Sequence, residues 1–163
     1  MILTKGNYMT MLTRIMMVSL LLSGTVYAQP GHCTSVHDGD TITVTLDQHR
    51  TKLRLSSIDA PELAQPNGVE SRDFLARLVL NKDVQVEQHG QDRYHRTLAD
   101  ISIDGKNVNQ ALVAAGFAWW YRKYAADDTV LRDLEAKARA ARRGLWADAG
   151  AEAPWEFRHP LGR

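Results

Sequence analysis

Between positions 41 and 55 apolar and polar residues alternate, and this pattern limits the possible folds more than any other part of the chain. Every second residue of Thr41–Leu46 is apolar, and the same period returns in residues 51–55 after the turn-forming sequence Asp47-Gln48-His49. A period of two is typical of strands that bury one face. Two such runs joined by a short turn predict a β-hairpin at the start of a sheet.

The residues after this hairpin predict one helix and then two more strands. Residues 68–80 change to the helical period, with apolar side chains on one side and Asn81 as the expected end. The strands are predicted over residues 84–86 and 97–103, and the turn pair Asp104-Gly105 ends the second strand. The helix is therefore expected to be an insertion between strands of one sheet.

Two further helices are predicted in the last third of the chain. Asn107 can cap a short helix that Gly116 closes, and a longer helix covers about residues 128–143. From Ala147 the chain is rich in Ala, Gly and Pro, so we expect a loosely held tail over residues 147–163. About five strands with three helices predict a small α+β domain, and closing the strands into a barrel would cover their edges.

The first 28 residues have the pattern of a secretory signal peptide. They contain Lys5 and Arg14 but no acidic residue, then the apolar run 15–22, and they end in Val26-Tyr27-Ala28. The alternative is an uncleaved membrane anchor, but the apolar run is shorter than the roughly 20 residues that span a bilayer. We therefore predict cleavage after Ala28 and export, to a periplasm or to the medium, with no stable membrane association afterwards.

Charge and cysteine content narrow the possible functions. Removing residues 1–28 takes away two of the 20 basic residues and none of the 19 acidic ones, which leaves a net charge of −1 with His counted neutral. Binding nucleic acid through a broad basic patch needs a larger excess, so phosphate chemistry would require a few placed cations or a metal. Cys33 is the single cysteine, so no intramolecular disulfide can form. A lipid-anchored cysteine is the alternative, but residues 29–32 do not resemble a lipoprotein processing site.

Two acidic clusters are candidates for chemistry. Asp38 and Asp40 lie on either side of a glycine, where a simple tight turn is the alternative, and Asp59 and Glu62 lie on either side of an Ala-Pro pair. The spacing around Asp40 does not match a helix-loop-helix calcium loop. Asp40 and Asp59 could still bind a hard cation together if adjacent strands bring them side by side. The six histidines have no zinc-binding spacing and are interpreted as surface residues.

Taken in order, these motifs closely resemble the staphylococcal nuclease (thermonuclease) family. Arg54 precedes Asp59 by the family's five residues, and Glu62 follows Asp59 by three. The resemblance covers roughly residues 34–146 and predicts a thermonuclease-like domain over residues 29–146. It rests on Asp38-Gly39-Asp40-Thr41, Leu53-Arg54-Leu55, Ile58-Asp59-Ala60-Pro61-Glu62, Arg93-Tyr94-His95-Arg96, Gly105-Lys106-Asn107-Val108-Asn109, Leu112-Val113-Ala114-Ala115-Gly116 and Arg143-Gly144-Leu145-Trp146.

The resemblance implies a five-stranded oligonucleotide/oligosaccharide-binding (OB-fold) β-barrel with three α-helices. It also implies a Ca²⁺-dependent endonuclease that hydrolyses phosphodiester bonds in DNA and RNA. By matching positions, Asp40 and Asp59 would bind Ca²⁺ through their carboxylates, and Ala60, where the family usually has threonine, through its backbone carbonyl. The matching catalytic side chains are Arg54, Glu62 and Arg96.

Two tyrosines are candidates for nucleic-acid contacts. Tyr94 and Tyr124 have cationic neighbours in the sequence and could stack bases or contact phosphates. For the aromatic residues 119–121, packing in the core or at the rim is at least as good an interpretation as contact with nucleic acid.

Two other functional classes stay open: a non-catalytic OB-fold module that binds nucleic acid or protein, and a barrel that binds small ligands or carbohydrates. A nuclease is favoured because Glu62 and both arginines are present, and we expect it to be a monomer.

Overall fold

The computed structural model describes residues 28–159. Within this range the strands are β1 (Gln29–Val36), β2 (Thr41–Leu46), β3 (His49–Leu55), β4 (Ile58–Asp59), β5 (Asp83–Gln91), β6 (Thr97–Ile103), β7 (Lys106–Asn107) and β8 (Trp119–Trp120). The helices are α1 (Gly68–Val79), α2 (Val108–Ala115), α3 (Thr129–Ala140) and α4 (Pro154–Phe157), and a 3₁₀ helix spans Gly144–Ala147.

Five of the strands close into a barrel. The order β3-β2-β1-β5-β6 is antiparallel throughout, and β3 also pairs in parallel with β6, with Leu53 opposite Thr97 and Leu55 opposite Ala99. This last pairing removes both free edges of the sheet. The predicted α+β fold with a five-stranded OB-type barrel is therefore confirmed.

The barrel interior is filled by the apolar residues that the alternation places on one face. Ile42 and Val44 of β2 and Leu53 and Leu55 of β3 are completely buried. Helix α1 adds Leu75 and Val79 to the same cluster, and α2 adds Leu112 and Val113. Burying one large aliphatic side chain contributes about 1.5–3 kcal/mol to the free energy of folding. This shared cluster therefore provides much of the free energy that holds α1 and α2 against the barrel.

The predicted helices are present, with local chemistry that explains their ends. Asn107 caps α2 by accepting a hydrogen bond from the Gln110 N–H at 2.9 Å, and Gly116 ends it with φ of 78°. Helix α3 is shorter than predicted: it ends at Ala140, and Arg142 and Gly144, which follow it, both have a positive φ of 52°. Gly144 lies against Gly116, where a Cβ on Gly144 would be 2.3 Å from the Gly116 carbonyl oxygen.

The prediction of a loosely held tail after Ala147 is wrong for the residues up to His159. Ala153 and Pro154 are buried, and the Trp155 ring stacks on Tyr121 with centroids 5.2 Å apart and an interplanar angle of 1°. Pro154 begins α4, the position of a helix where its missing N–H costs nothing. The Ala- and Pro-rich composition suggested a flexible chain, but here these residues begin a helix that packs on the domain.

The predicted signal peptide lies outside the described residues, apart from Ala28. Strand β1 begins directly after it, at Gln29. Among residues 28–159, no helix has both the length and the apolar character that crossing a membrane requires. Cys33 lies on β1 and is completely buried, and burial raises the pKa of its thiol to about 11, so this cysteine is an inert part of the core.

Candidate active site

A cavity of about 1040 Å³ opens at the end of the barrel where β3 and β4 meet the loop after β5. All of the residues singled out from the sequence line this one cavity, although they come from separate segments of the chain. They are Asp40, Arg54, Asp59, Ala60, Glu62, Tyr94, Arg96 and Tyr124. The fold brings them together, because the barrel places the start of β2, the end of β3 and the start of β6 next to one another.

Arg54 is the centre of a buried ion-pair network. Its Nη2 lies 2.7 Å from Asp59 Oδ1 and 2.9 Å from Asp40 Oδ2. Its Nη1 donates to the backbone carbonyls of Leu55 at 2.6 Å and Ile58 at 2.9 Å. Arg54 is therefore not a solvated surface residue: it is only 8% exposed, and two carboxylates lie within ion-pair distance of it.

Asp40 joins the start of β2 to the end of β4. Its Oδ2 accepts a hydrogen bond from the Ala60 N–H at 2.7 Å, and its Oδ1 accepts one from the Thr41 hydroxyl at 3.1 Å. Burial raises the pKa of Asp40 to about 7, because loss of solvent outweighs the attraction of Arg54. Asp40 is therefore harder to ionise than an exposed aspartate, and Arg54 is the contact that favours its charged form.

Glu62 is held on a tight turn that ends at the start of α1. The Glu62 N–H donates to Gln65 Oε1 at 3.1 Å, and the Gln65 N–H donates back to the Glu62 carbonyl at 2.8 Å. The turn requires glycine at position 68, because a Cβ there would lie 1.9 Å from the Glu62 carbonyl oxygen. Buried Gln65 therefore helps to hold Glu62 in position; it was missed in the sequence because a glutamine in a loop has no distinctive pattern.

Arg96 is presented by a turn that Asp92 organises. Asp92 Oδ1 accepts hydrogen bonds from the backbone N–H groups of Tyr94 at 2.8 Å and Arg96 at 2.9 Å, while Oδ2 accepts from Arg96 Nε at 2.7 Å. Burial alone would raise the pKa of Asp92, but the hydrogen bonds from Arg96 and Tyr94 lower it below its usual range. The Arg96 guanidinium is consequently held at the cavity wall through Nε.

Arg158 is a second residue of the site, after Gln65, that the sequence did not predict. Its Nη2 lies 2.6 Å from Asp59 Oδ2, and its Nη1 lies 2.6 Å from Glu62 Oε1. Burial opposes the charge of Arg158, but the hydrogen bonds to Asp59 and Glu62 raise the pKa of the guanidinium. Arg158 lies beyond residue 146, where the family resemblance stops, so no motif pointed to it.

Aromatic rings form the rim of the cavity. Tyr94 and Tyr124 are both exposed, and each has a cation over its ring: Arg93 at 4.7 Å and Lys123 at 5.6 Å from the centroid. Tyr121 meets the Tyr124 ring edge-on, with centroids 4.9 Å apart, and stacks on Trp155 of α4. A second cavity of about 620 Å³ continues from this rim. Trp119 and Trp120 are buried, so the interpretation of these two rings as packing residues is confirmed.

The donor atoms at the floor of the cavity suit a hard cation. Asp40 and Asp59 both contact Arg54 Nη2, so their carboxylates lie close enough to share one ion. The backbone carbonyl of Ala60 is the third candidate, and all three donors are oxygens, as Ca²⁺ prefers. Within the described range no group of three or more His, Cys, Asp or Glu side chains converges as a metal site. An ion held here would therefore complete its shell with water or phosphate oxygens.

A closed OB-type barrel with arginines and carboxylates gathered in one cleft defines the class of protein as an OB-fold nuclease. The family described as staphylococcal nuclease homologue matches residues 52–148, more than half of the chain. The chain therefore belongs to the staphylococcal nuclease family.

Several curated proteins are similar over most of the domain. An Escherichia coli protein described as an uncharacterized endonuclease is 42% identical over 142 residues, which cover 82% of this chain and 92% of that protein. The micrococcal nuclease of Shigella flexneri is 38% identical over 138 residues, or 78% and 79% of the two chains. A staphylococcal-like nuclease of Arabidopsis thaliana is 40% identical over 107 residues, 66% of this chain and 33% of its own length.

Proposed function

We propose that this nuclease is an exported, Ca²⁺-dependent endonuclease that hydrolyses phosphodiester bonds in DNA and RNA. The observation that carries the proposal is the single cavity in which two buried carboxylates, Glu62 and two arginines face one another. The relatives from Escherichia coli and Shigella flexneri, named an endonuclease and a micrococcal nuclease, support the reaction. A carbohydrate-binding barrel would have no use for this set of charges, and a non-catalytic module would not need Glu62.

The carboxylates of Asp40 and Asp59 and the Ala60 carbonyl would hold the ion. When bound, Ca²⁺ would act as a Lewis acid that polarises the scissile phosphate. Asp40 must be ionised for this; burial, which raises its pKa to about 7, opposes ionisation, whereas Arg54 and a bound cation favour it. Alanine at position 60, where the family usually has threonine, is compatible with such a site, because the ligand would be the backbone carbonyl and not the side chain of this residue.

Arg96 and Arg54 would favour the phosphate in different ways. Arg96 is held through Nε, and its guanidinium could bind phosphate oxygens with two parallel hydrogen bonds. The Nη groups of Arg54 are already bound to carbonyls and carboxylates, so Arg54 would contribute its positive charge and hold Asp40 and Asp59 in position. Charge that grows on the phosphate oxygens in the transition state is then stabilised by donors already in place.

Glu62 would take the proton from the attacking water. Its carboxylate lies at the cavity wall, half-buried, on a turn that Gln65 and Gly68 hold in one conformation. A general base needs this fixed position within hydrogen-bond reach of the water. Tyr94 and Tyr124 at the rim would stack flanking bases or contact flanking phosphates.

The metal requirement is tested by comparing cations. With single-stranded DNA as substrate, Mg²⁺ should support a rate at least roughly tenfold below that with Ca²⁺, because Mg²⁺ demands tighter octahedral geometry than a few protein oxygens provide. Initial rates would be measured with the purified protein after chelator treatment and addition of each ion. Full activity in excess chelator would contradict the metal assignment.

Export is tested by the amino terminus of the protein found outside the cytoplasm. Mass spectrometry of the periplasmic or secreted fraction should find a chain that starts near Gln29, because the basic start, apolar run and Val-Tyr-Ala ending favour cleavage after Ala28. Recovery of a chain that still begins at Met1 in that fraction would argue against cleavage. The cytoplasmic fraction of the same cells serves as the control for lysis.

A further inference from the structure

The C-terminal segment places a cation on the same carboxylate that is proposed to bind the metal. Arg158 Nη2 lies 2.6 Å from Asp59 Oδ2, and Arg158 Nη1 lies 3.3 Å from Asp59 Oδ1. Arg54 donates to Oδ1 as well, at 2.7 Å. Both oxygens of a carboxylate that is 1% exposed are therefore already bound by guanidinium groups.

The segment that carries Arg158 is held by contacts at two positions, Glu152 and Trp155. Gln65 Nε2, from the turn that holds Glu62, donates to the Glu152 carbonyl at 2.6 Å. Trp155 stacks on Tyr121 and meets the edge of Trp119 at 5.6 Å. Because these contacts keep the guanidinium beside Asp59, its effective concentration at the carboxylate is that of an intramolecular ligand.

Of the two arginines on Asp59, Arg158 is the one that can leave. Arg54 is bound by the backbone carbonyls of Leu55 and Ile58 in addition to the carboxylates, and its side chain is 9% exposed. The Arg158 side chain is 37% exposed, and its hydrogen bonds within the described part of the chain go to the carboxylates of Asp59 and Glu62. A cation that binds Asp59 therefore displaces Arg158 and leaves Arg54 in place.

We propose that Arg158 is a positioning residue whose guanidinium occupies the place beside Asp59 Oδ2 where a divalent cation would bind. A divalent cation must therefore displace this guanidinium in order to bind. The inference rests on the proposed metal site at Asp40, Asp59 and Ala60. A metal ion at bonding distance from Asp59 would lie next to the guanidinium, and two like charges in a partly buried cleft repel strongly. Arg158 consequently keeps Asp59 and Glu62 oriented in the metal-free protein and lowers the affinity of the site for the metal.

The experiment measures Ca²⁺ binding without nucleic acid, by isothermal titration calorimetry. Arg158→Met keeps the length of the side chain and removes the charge, so its Kd for Ca²⁺ should fall at least about tenfold below that of the unaltered protein. The control is Arg132→Met: Arg132 is an exposed arginine of α3 paired with Asp133, outside both cavities, and its loss should leave the Kd unchanged.

A second readout separates competition from a purely structural role. Ca²⁺ should raise the Tm of Arg158→Met by more than it raises the Tm of the unaltered protein, because the metal replaces a missing counter-ion of Asp59. A structural role alone would lower the Tm equally with and without Ca²⁺. Arg158→Lys should have an intermediate Kd, since a lysine cannot bridge Asp59 and Glu62 as the fork does; it carries the test if the methionine variant unfolds without metal.

The outcomes distinguish this inference from the proposed function. Equal or weaker Ca²⁺ binding in both Arg158 variants, with normal binding in the unaltered protein, overturns the competition and leaves the metal site standing. Absence of Ca²⁺ binding in every variant and in the unaltered protein overturns the metal site and the competition together.

Discussion

Glu62→Gln should lower kcat by about 10²–10⁴-fold if Glu62 is the general base. Glutamine has nearly the same size but cannot accept the proton of the attacking water. The fold should survive, because the Glu62 side chain is half-buried and its backbone N–H still donates to Gln65. Hydrolysis of single-stranded DNA would be measured at saturating Ca²⁺, with thermal unfolding and nucleotide binding followed in parallel.

The matched control for this substitution is Glu70→Gln. Glu70 is an exposed residue in the first turn of α1, outside the cavity, so the same loss of charge there should leave kcat unchanged. Wild-type turnover by Glu62→Gln would show that the turn between Asp59 and Gly68 is structural and that the proposed mechanism is wrong.

Arg54→Lys is expected to have the second large effect. A lysine keeps the positive charge but cannot hold Asp40 and Asp59 together as the guanidinium does, so kcat/KM should fall by roughly 10²–10³-fold, the usual cost of disturbing a preorganised transition-state contact. The free energy of unfolding should also fall, by about 1–3 kcal/mol, because a single ammonium group cannot satisfy both carboxylates and the carbonyls of Leu55 and Ile58. Steady-state kinetics and denaturant unfolding would measure the two effects.

Lys52→Ala is the control for simple loss of surface charge near the cleft. Lys52 lies two residues before Arg54 on the same strand, but it is exposed and pairs with Thr43 across the sheet. A comparable loss of rate in Lys52→Ala would mean that Arg54 is one of several steering charges. An unchanged rate in Lys52→Ala, with a large loss in Arg54→Lys, would assign the effect to the guanidinium fork.

The elements of the fold follow from short-range patterns, and for this reason they could be predicted. Strands β2 and β6 have the predicted bounds, because alternation between apolar and polar residues is a local signal. The cap of α2 by Asn107 involves residues only three apart. Strand β1 escaped prediction because Gln29–Val36 contains a proline and a glycine and does not alternate, and its partners β2 and β5 supply the hydrogen bonds that make it a strand.

The residues proposed for chemistry could be named from the sequence because their ordered motifs resemble those of the staphylococcal nuclease family, and the fold brings every one of them to a single cavity. The burial of Arg54 between two carboxylates was not predictable, since Asp40 reaches it only through the pairing of β2 with β3. Arg158 is the clearest case: it meets Glu62 and Asp59 across separations of 96 and 99 residues. Contacts over such distances depend on how the barrel, the Gln65 turn and α4 pack together, and no local pattern in a single sequence records that packing.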